Sequence, residues 1–206
     1  MNIYILQKIK DSKVSNAGYT IIETMIAISL FIIIMMTGMG SLLNANLIHQ
    51  KSQNMRSIMD GLNFAMEDMS KNLRTGYDYQ CFDVNQDLSL ISIGTPRSCQ
   101  NGWAVVFESS AGDRATYQDQ WVYYINSDGI FKSIDGAQSF IKLTPDEVVM
   151  DAAASGFEVS GAEPPPGDKQ QPFIKLKLMG KINFKNTETP FSIQTSISQR
   201  LVDVGN

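Results

Sequence analysis

Histidine is nearly missing from this chain of 206 residues: His49 is the only one, and neither cysteine lies near it. The sequence therefore holds no zinc spacing and no Ser/His/Asp set, and it has no glycine-rich phosphate loop. We expect no catalytic residue, no metal and no cofactor, and His49 reads as a solvated residue just past the most apolar part of the chain. Proline is absent until Pro96, so nothing in the earlier sequence breaks a long helix. Basic residues are outnumbered 17 to 21, a net charge of −4 that argues against nucleic acid as a partner. Cysteine is limited to Cys81 and Cys99. Charge of either sign is missing from residues 24–43.

That uncharged run is the dominant feature. It has the length, about twenty residues, that a helix needs to cross the roughly 30 Å hydrocarbon core of a bilayer. Glu23 stands at its leading edge, where a carboxylate is costly unless it is paired or held near the interface. Before it lies a leader with Lys8, Lys10 and Lys13 against Asp11, ending in Ala17-Gly18. A secretory signal carries its small-residue cleavage site after the apolar region, whereas here the small residues come first. A cut between Gly18 and Tyr19 would remove the basic leader and leave the spanning helix on the mature protein. Positive charge before the span and the bulk of the chain after it place the N-terminus in the cytoplasm and the remainder outside. At 43% hydrophobic, the chain has room for one membrane segment and one globular domain.

The sequence Gly18-Tyr19-Thr20-Ile21-Ile22-Glu23 with its apolar tail closely resembles the N-terminus of type IV prepilins and secretion pseudopilins. The resemblance covers the first quarter of the chain. It implies Gly18 as the last leader residue, Tyr19 as the first mature and N-methylated residue, and Glu23 as the acid used in filament assembly. Tyr19 stands where the family usually has phenylalanine and keeps the aromatic character. The implied partners are a prepilin peptidase, other pilin or pseudopilin subunits, and an inner-membrane assembly platform. The implied location is the cytoplasmic membrane as a single-pass protein, then the pilus or pseudopilus. Thr20-x-x-Glu23 also fits a capping box with the acid near the positive helix end, and the two roles are compatible. The family often has a proline in this helix; this chain has Gly38, Gly40 and Ser41, which suit either close helix packing or local unwinding.

Beyond residue 43 the pattern turns amphipathic. Met55, Ile58, Met59, Leu62, Met66, Met69 and Leu73 recur at steps of three and four, with charged residues mostly between them. The spacing predicts one helix from about Thr20 to Arg74, stopped at Gly76, whose methionine stripe is core packed under a sheet. Residues 77–102 read as irregular and contain both cysteines. In an exported domain a disulfide is expected between them, worth about 3 kcal/mol, while two free thiols remain the alternative in a reducing compartment. Asp83-x-Asn85-x-Asp87 imitates the start of a calcium loop, but Leu88 replaces the required glycine and Gly94 the bidentate acid.

Strands are predicted at 88–93, 103–108, 120–126, 130–134, 140–143, 173–179 and 191–197, the last two as antiparallel partners. Turns are expected at Asn126-Ser127-Asp128-Gly129 and Asp135-Gly136, and a long loop at 161–172. Lys175, Lys177, Lys181 and Lys185 alternate with apolar residues over 174–178 and read as a solvated sheet face rather than a DNA contact. The organisation is thus leader 1–18, membrane and assembly helix 19–43, amphipathic helix 44–76 and a strand-rich domain 77–206, an α+β fold that agrees with the pilin-like arrangement the resemblance implies. The functional expectation is a non-enzymatic structural subunit of a type IV pilus or secretion pseudopilus. The strand-rich second half resembles minor subunits of the J or W type, and retention of Glu23 argues against the tip-most pseudopilin, which lacks the acid. The alternatives are a filament-tip binding module for adhesion or DNA uptake, and a membrane-anchored sensor that never assembles.

Overall fold

Apolar residues at steps of three and four place one stripe along a helix, and the computed structural model, which describes residues 18–164, 169–184 and 187–200, forms that helix without a break. Helix α1 spans Ile21–Thr75. The chain divides into two compact units, residues 1–50 and 51–206. In the second unit Ile58, Leu62, Ala65, Met66, Met69 and Leu73 of α1 are buried, so the methionine stripe is core as its spacing requires. Gly76 closes the helix by donating its N–H to the Asn72 carbonyl at 2.9 Å. Its lack of a side chain matters because a Cβ there would strike the Phe107 ring. The Tyr79 hydroxyl turns back to donate to the carbonyls of Leu73 and Gly76, satisfying helix-end acceptors that would otherwise be orphaned.

Among the described residues nine strands form one antiparallel sheet: β1 (Tyr77–Asp83), β2 (Cys99–Glu108), β3 (Trp121–Asn126), β4 (Gly129–Ser133), β5 (Ile141–Lys142), β6 (Val148–Met150), β7 (Gly156–Ser160), β8 (Phe173–Phe184) and β9 (Thr187–Ser198). The path β5-β4-β3-β2-β7-β8-β6 carries β1 on β2 and β9 on β8. The fold is α+β, as the order of a long helix followed by strands requires. β2 and β8 are the hubs, each pairing with three other strands.

β2 is buried on both faces. Val105 and Phe107 pack with the stripe of α1, while Ala104 and Val106 join Phe82 and Val122 in a second cluster on the opposite face. That second cluster is covered by Leu88, Ile91, Trp103, Tyr124 and Ala137. Double-sided burial explains why this strand reads as a continuous apolar run instead of alternating.

Several expectations are corrected. The stretch 77–102 is not irregular throughout, since it contains β1 and the start of β2. The alternation at 88–93 does not make a strand; Leu88–Leu90 is a single 3-10 turn, because Asp87 accepts the Ser89 N–H and caps it. β6 and β7 are additions to the expected strands: β6 has only three residues, and in β7 the alternation rests on just two apolar residues, Phe157 and Val159. β8 and β9 pair along their whole length from Phe173↔Ser198 to Phe184↔Thr187, extending the two strands expected there. The leader up to residue 17, the centre of the proline loop at 165–168 and Lys185 lie outside the described residues.

Cys81 and Cys99 are disulfide-bonded, with 5.6 Å between their Cα atoms. The bond ties the middle of β1 to the first residue of β2, and Gly102 lies against it: a Cβ at Gly102 would collide with both sulfurs.

Candidate functional site

The N-terminal unit is built from local chemistry alone. Thr20 caps α1: its carbonyl accepts the N–H groups of Glu23 at 3.1 Å and Thr24 at 3.2 Å, and its hydroxyl accepts the Glu23 N–H at 3.4 Å. Glu23 sits in the first turn, where its charge suits the positive helix end. Three polar side chains of the apolar run bond backwards onto helix carbonyls. Thr24 donates to Ile21, Ser29 to Ile26, and Thr37 to Ile33 and Ile34. Each hydroxyl is thereby satisfied without water, which lets it sit among apolar neighbours.

Every residue from Gly18 to Gln50 is exposed in the single chain, including Ile21 at 82% and Leu42 at 73%. A run of large aliphatic side chains left open in this way needs lipid or other helices around it. By length and composition α1 is long and apolar enough to cross a membrane. Gly18 and Tyr19 precede the first helical turn; Tyr19 is 81% exposed, and no heavy atom lies within 4 Å of where a Cβ on Gly18 would be. The scissile junction expected between these two residues is accessible in the chain.

The chain has no significant match among family models, curated proteins or solved structures.

Gly18, Tyr19 and Glu23 belong to the first unit, and the Cys81–Cys99 bridge belongs to the second. The calcium-like stretch uses its acids on its own loop: Asp83 accepts the Val84 N–H at 3.1 Å, and Asp87 caps the 3-10 turn. Among the described residues no three His, Cys, Asp or Glu side chains gather in a way that would hold a metal ion. On the lysine strand, Lys175 pairs with Glu158 at 2.8 Å and Lys181 with Glu188 at 2.9 Å, while Lys177 is exposed. Ile174, Leu176 and Leu178 between them are buried, so this is a solvated sheet face.

Two polar groupings carry no sequence signal. In the first, Asp68 on α1 collects Lys132, the Tyr123 hydroxyl and the Asn72 amide. In the second, Glu108 at the end of β2 is almost wholly buried, with the Gln120 amide bonded to it and Asp119 nearby. Burial, followed by the charge of Asp119, pushes the Glu108 carboxyl up to about 7. Glu108 Oε1, Asp119 Oδ1 and Gln120 Oε1 are buried oxygens without a donor among the described residues.

Proposed function

We propose that the protein is a non-enzymatic structural subunit of a type IV pilus or secretion pseudopilus, cut after Gly18 and assembled through the apolar half of α1. The observation that carries this reading is the order along one helix. Gly18, Tyr19 and Glu23 stand ahead of a run exposed as far as Gln50, and the same helix then carries the core stripe of the second unit from Ile58 to Leu73. A signal peptide removed after its apolar region would take away the start of a helix that the domain uses for its own core.

In this reading, cleavage by a prepilin peptidase frees the α-amino group of Tyr19, which is then N-methylated. The apolar segment keeps the subunit in the membrane, with the strand-rich unit outside, until it meets an assembly platform and other subunits. Inside the filament the amine of one subunit neutralises Glu23 of a neighbour, so processing and assembly are coupled through one ion pair. The strand-rich unit would make this a minor subunit of the J or W type.

The test is the N-terminus of the protein in sheared filaments. Mass spectrometry should find mature chains beginning at Tyr19, and Gly18→Phe should leave uncut precursor in the membrane. Filament-borne chains that still carry residues 1–13 would remove the reading.

A further inference from the structure

β9 is a sheet edge: among the described residues it pairs only with β8. Edges of this length are normally blunted, because unpaired N–H and C=O groups recruit foreign strands. One end of β9 is blunted, by Pro190 and by the Lys181–Glu188 ion pair. The other end is not.

The direction of the backbone there follows from two bonds. Gln199 donates its N–H to Pro172 at 3.0 Å, on the β8 side, whereas Arg200 donates to the Arg74 carbonyl of α1 at 2.8 Å. Groups on an antiparallel strand alternate between its two sides. Ser196 and Ser198, in step with Arg200, therefore turn N–H and C=O away from β8, and Pro190 falls on that same outward set, where a missing N–H costs nothing.

This open stretch borders a groove of about 830 Å³ between the last turns of α1 and β9. Four consecutive residues of β9, 195–198, line it, so the strand presents its backbone edge and not one face, since one face would supply only alternate residues. Among the other lining residues Lys71, Arg74 and Arg200 stand against a single acid, Glu67, and none of the three cations takes part in an ion pair among the described residues.

We infer that the Gln194–Ser198 edge of β9 takes an added strand from a partner, an extended peptide segment whose carboxylates face Lys71, Arg74 and Arg200. Main-chain bonds to Ser196 and Ser198 supply the pairing, and the side chains of the guest fill the groove. Charge selects the guest: a second copy of β9 would bring two sets of three cations together, while an acidic strand meets them with opposite sign. The inference does not depend on filament assembly.

The probes are two labelled ten-residue peptides, alternating valine with glutamate or valine with lysine, and a single-stranded oligonucleotide of similar charge, each titrated by fluorescence anisotropy onto the full chain in detergent micelles. The glutamate peptide should bind at least tenfold more tightly than the other two and slow amide exchange at Ser196 and Ser198. Ser196→Pro should weaken that binding at least tenfold and leave the melting temperature unchanged, because the lost N–H is not used within the sheet. Lys71→Ser/Arg74→Ser, at exposed positions, should abolish the preference for the acidic peptide. Equal binding of the two peptides, undiminished binding by Ser196→Pro, no binding of the glutamate peptide, or an oligonucleotide that binds as tightly would each overturn the inference.

Discussion

Lys132 of β4 donates to both carboxylate oxygens of Asp68 on α1, at 3.2 and 3.0 Å, with its ammonium 4.3 Å from the centre of the Trp121 ring. The pair is largely shielded, with side-chain exposures of 16% and 22%, and Tyr123 donates to the same carboxylate at 2.7 Å. Removing one partner leaves a half-buried charge, so Lys132→Met should destabilise the fold by about 2 kcal/mol, between the values for exposed and fully buried pairs. Asp68→Leu combined with Lys132→Met should recover part of the loss, because the two changes share one interaction. Urea midpoints of the four proteins in the cycle check this, and strictly additive losses would show that the two residues act independently.

Glu108 makes stability depend on pH with a definite sign. Its carboxyl ordinarily titrates near 4.5 and is pushed up to about 7 in the fold. Below the ordinary value both states hold the proton. Between there and about 7 the unfolded chain releases it while the folded chain retains it, so stability falls as pH rises through this window and levels off above it. Glu108→Gln should flatten that part of the profile and be more stable than wild type at pH 8. Unfolding midpoints collected from pH 4 to 8 measure both, and parallel profiles for the two proteins would show that Glu108 is not the group responsible.

The Cys81–Cys99 bond closes a separation of 18 residues and joins β1 to β2 beside the helix end. Reduction should cost about 3 kcal/mol and lower the melting temperature of a fragment beginning at Lys51. Gly102→Ala should act in the same direction, because its methyl group would occupy the space of the sulfurs. Two thiols open to alkylation in protein from an oxidising compartment would contradict the pairing.

Glu23 separates assembly from anchoring. In an isolated subunit the carboxylate stands at the first turn of α1, which in a membrane-spanning helix would be near the interface, and its loss should scarcely affect insertion. Packed among apolar helices it would need an opposite charge such as the amine of a neighbouring Tyr19. Glu23→Gln and Glu23→Val should both be cleaved and reach the membrane, yet both should be depleted from filaments. Immunoblots of membrane and sheared fractions decide it; wild-type amounts of either variant in filaments leave Glu23 as a capping residue.

The sequence by itself determined whatever depends on near neighbours. Thr20, the apolar run and the stripe from Ile58 to Leu73 are local patterns, and α1 begins and ends within a residue of where they place it. With two cysteines only one internal pairing exists, and the antiparallel pairing of 173–179 with 191–197 follows from clear alternation, though not the further length of β8 and β9. Tertiary structure decided the rest, because strand register brings together residues whose relation leaves no trace along the chain. β1 reads as loop until β2 pairs with it, and β2 loses its alternation because both of its faces are covered. Asp68 looks like any solvent-facing acid of an amphipathic helix until Lys132 arrives from 64 residues away. Glu108 ends an ordinary strand until the β2–β3 connection folds Asp119 and Gln120 against it and removes the water that would have set its charge.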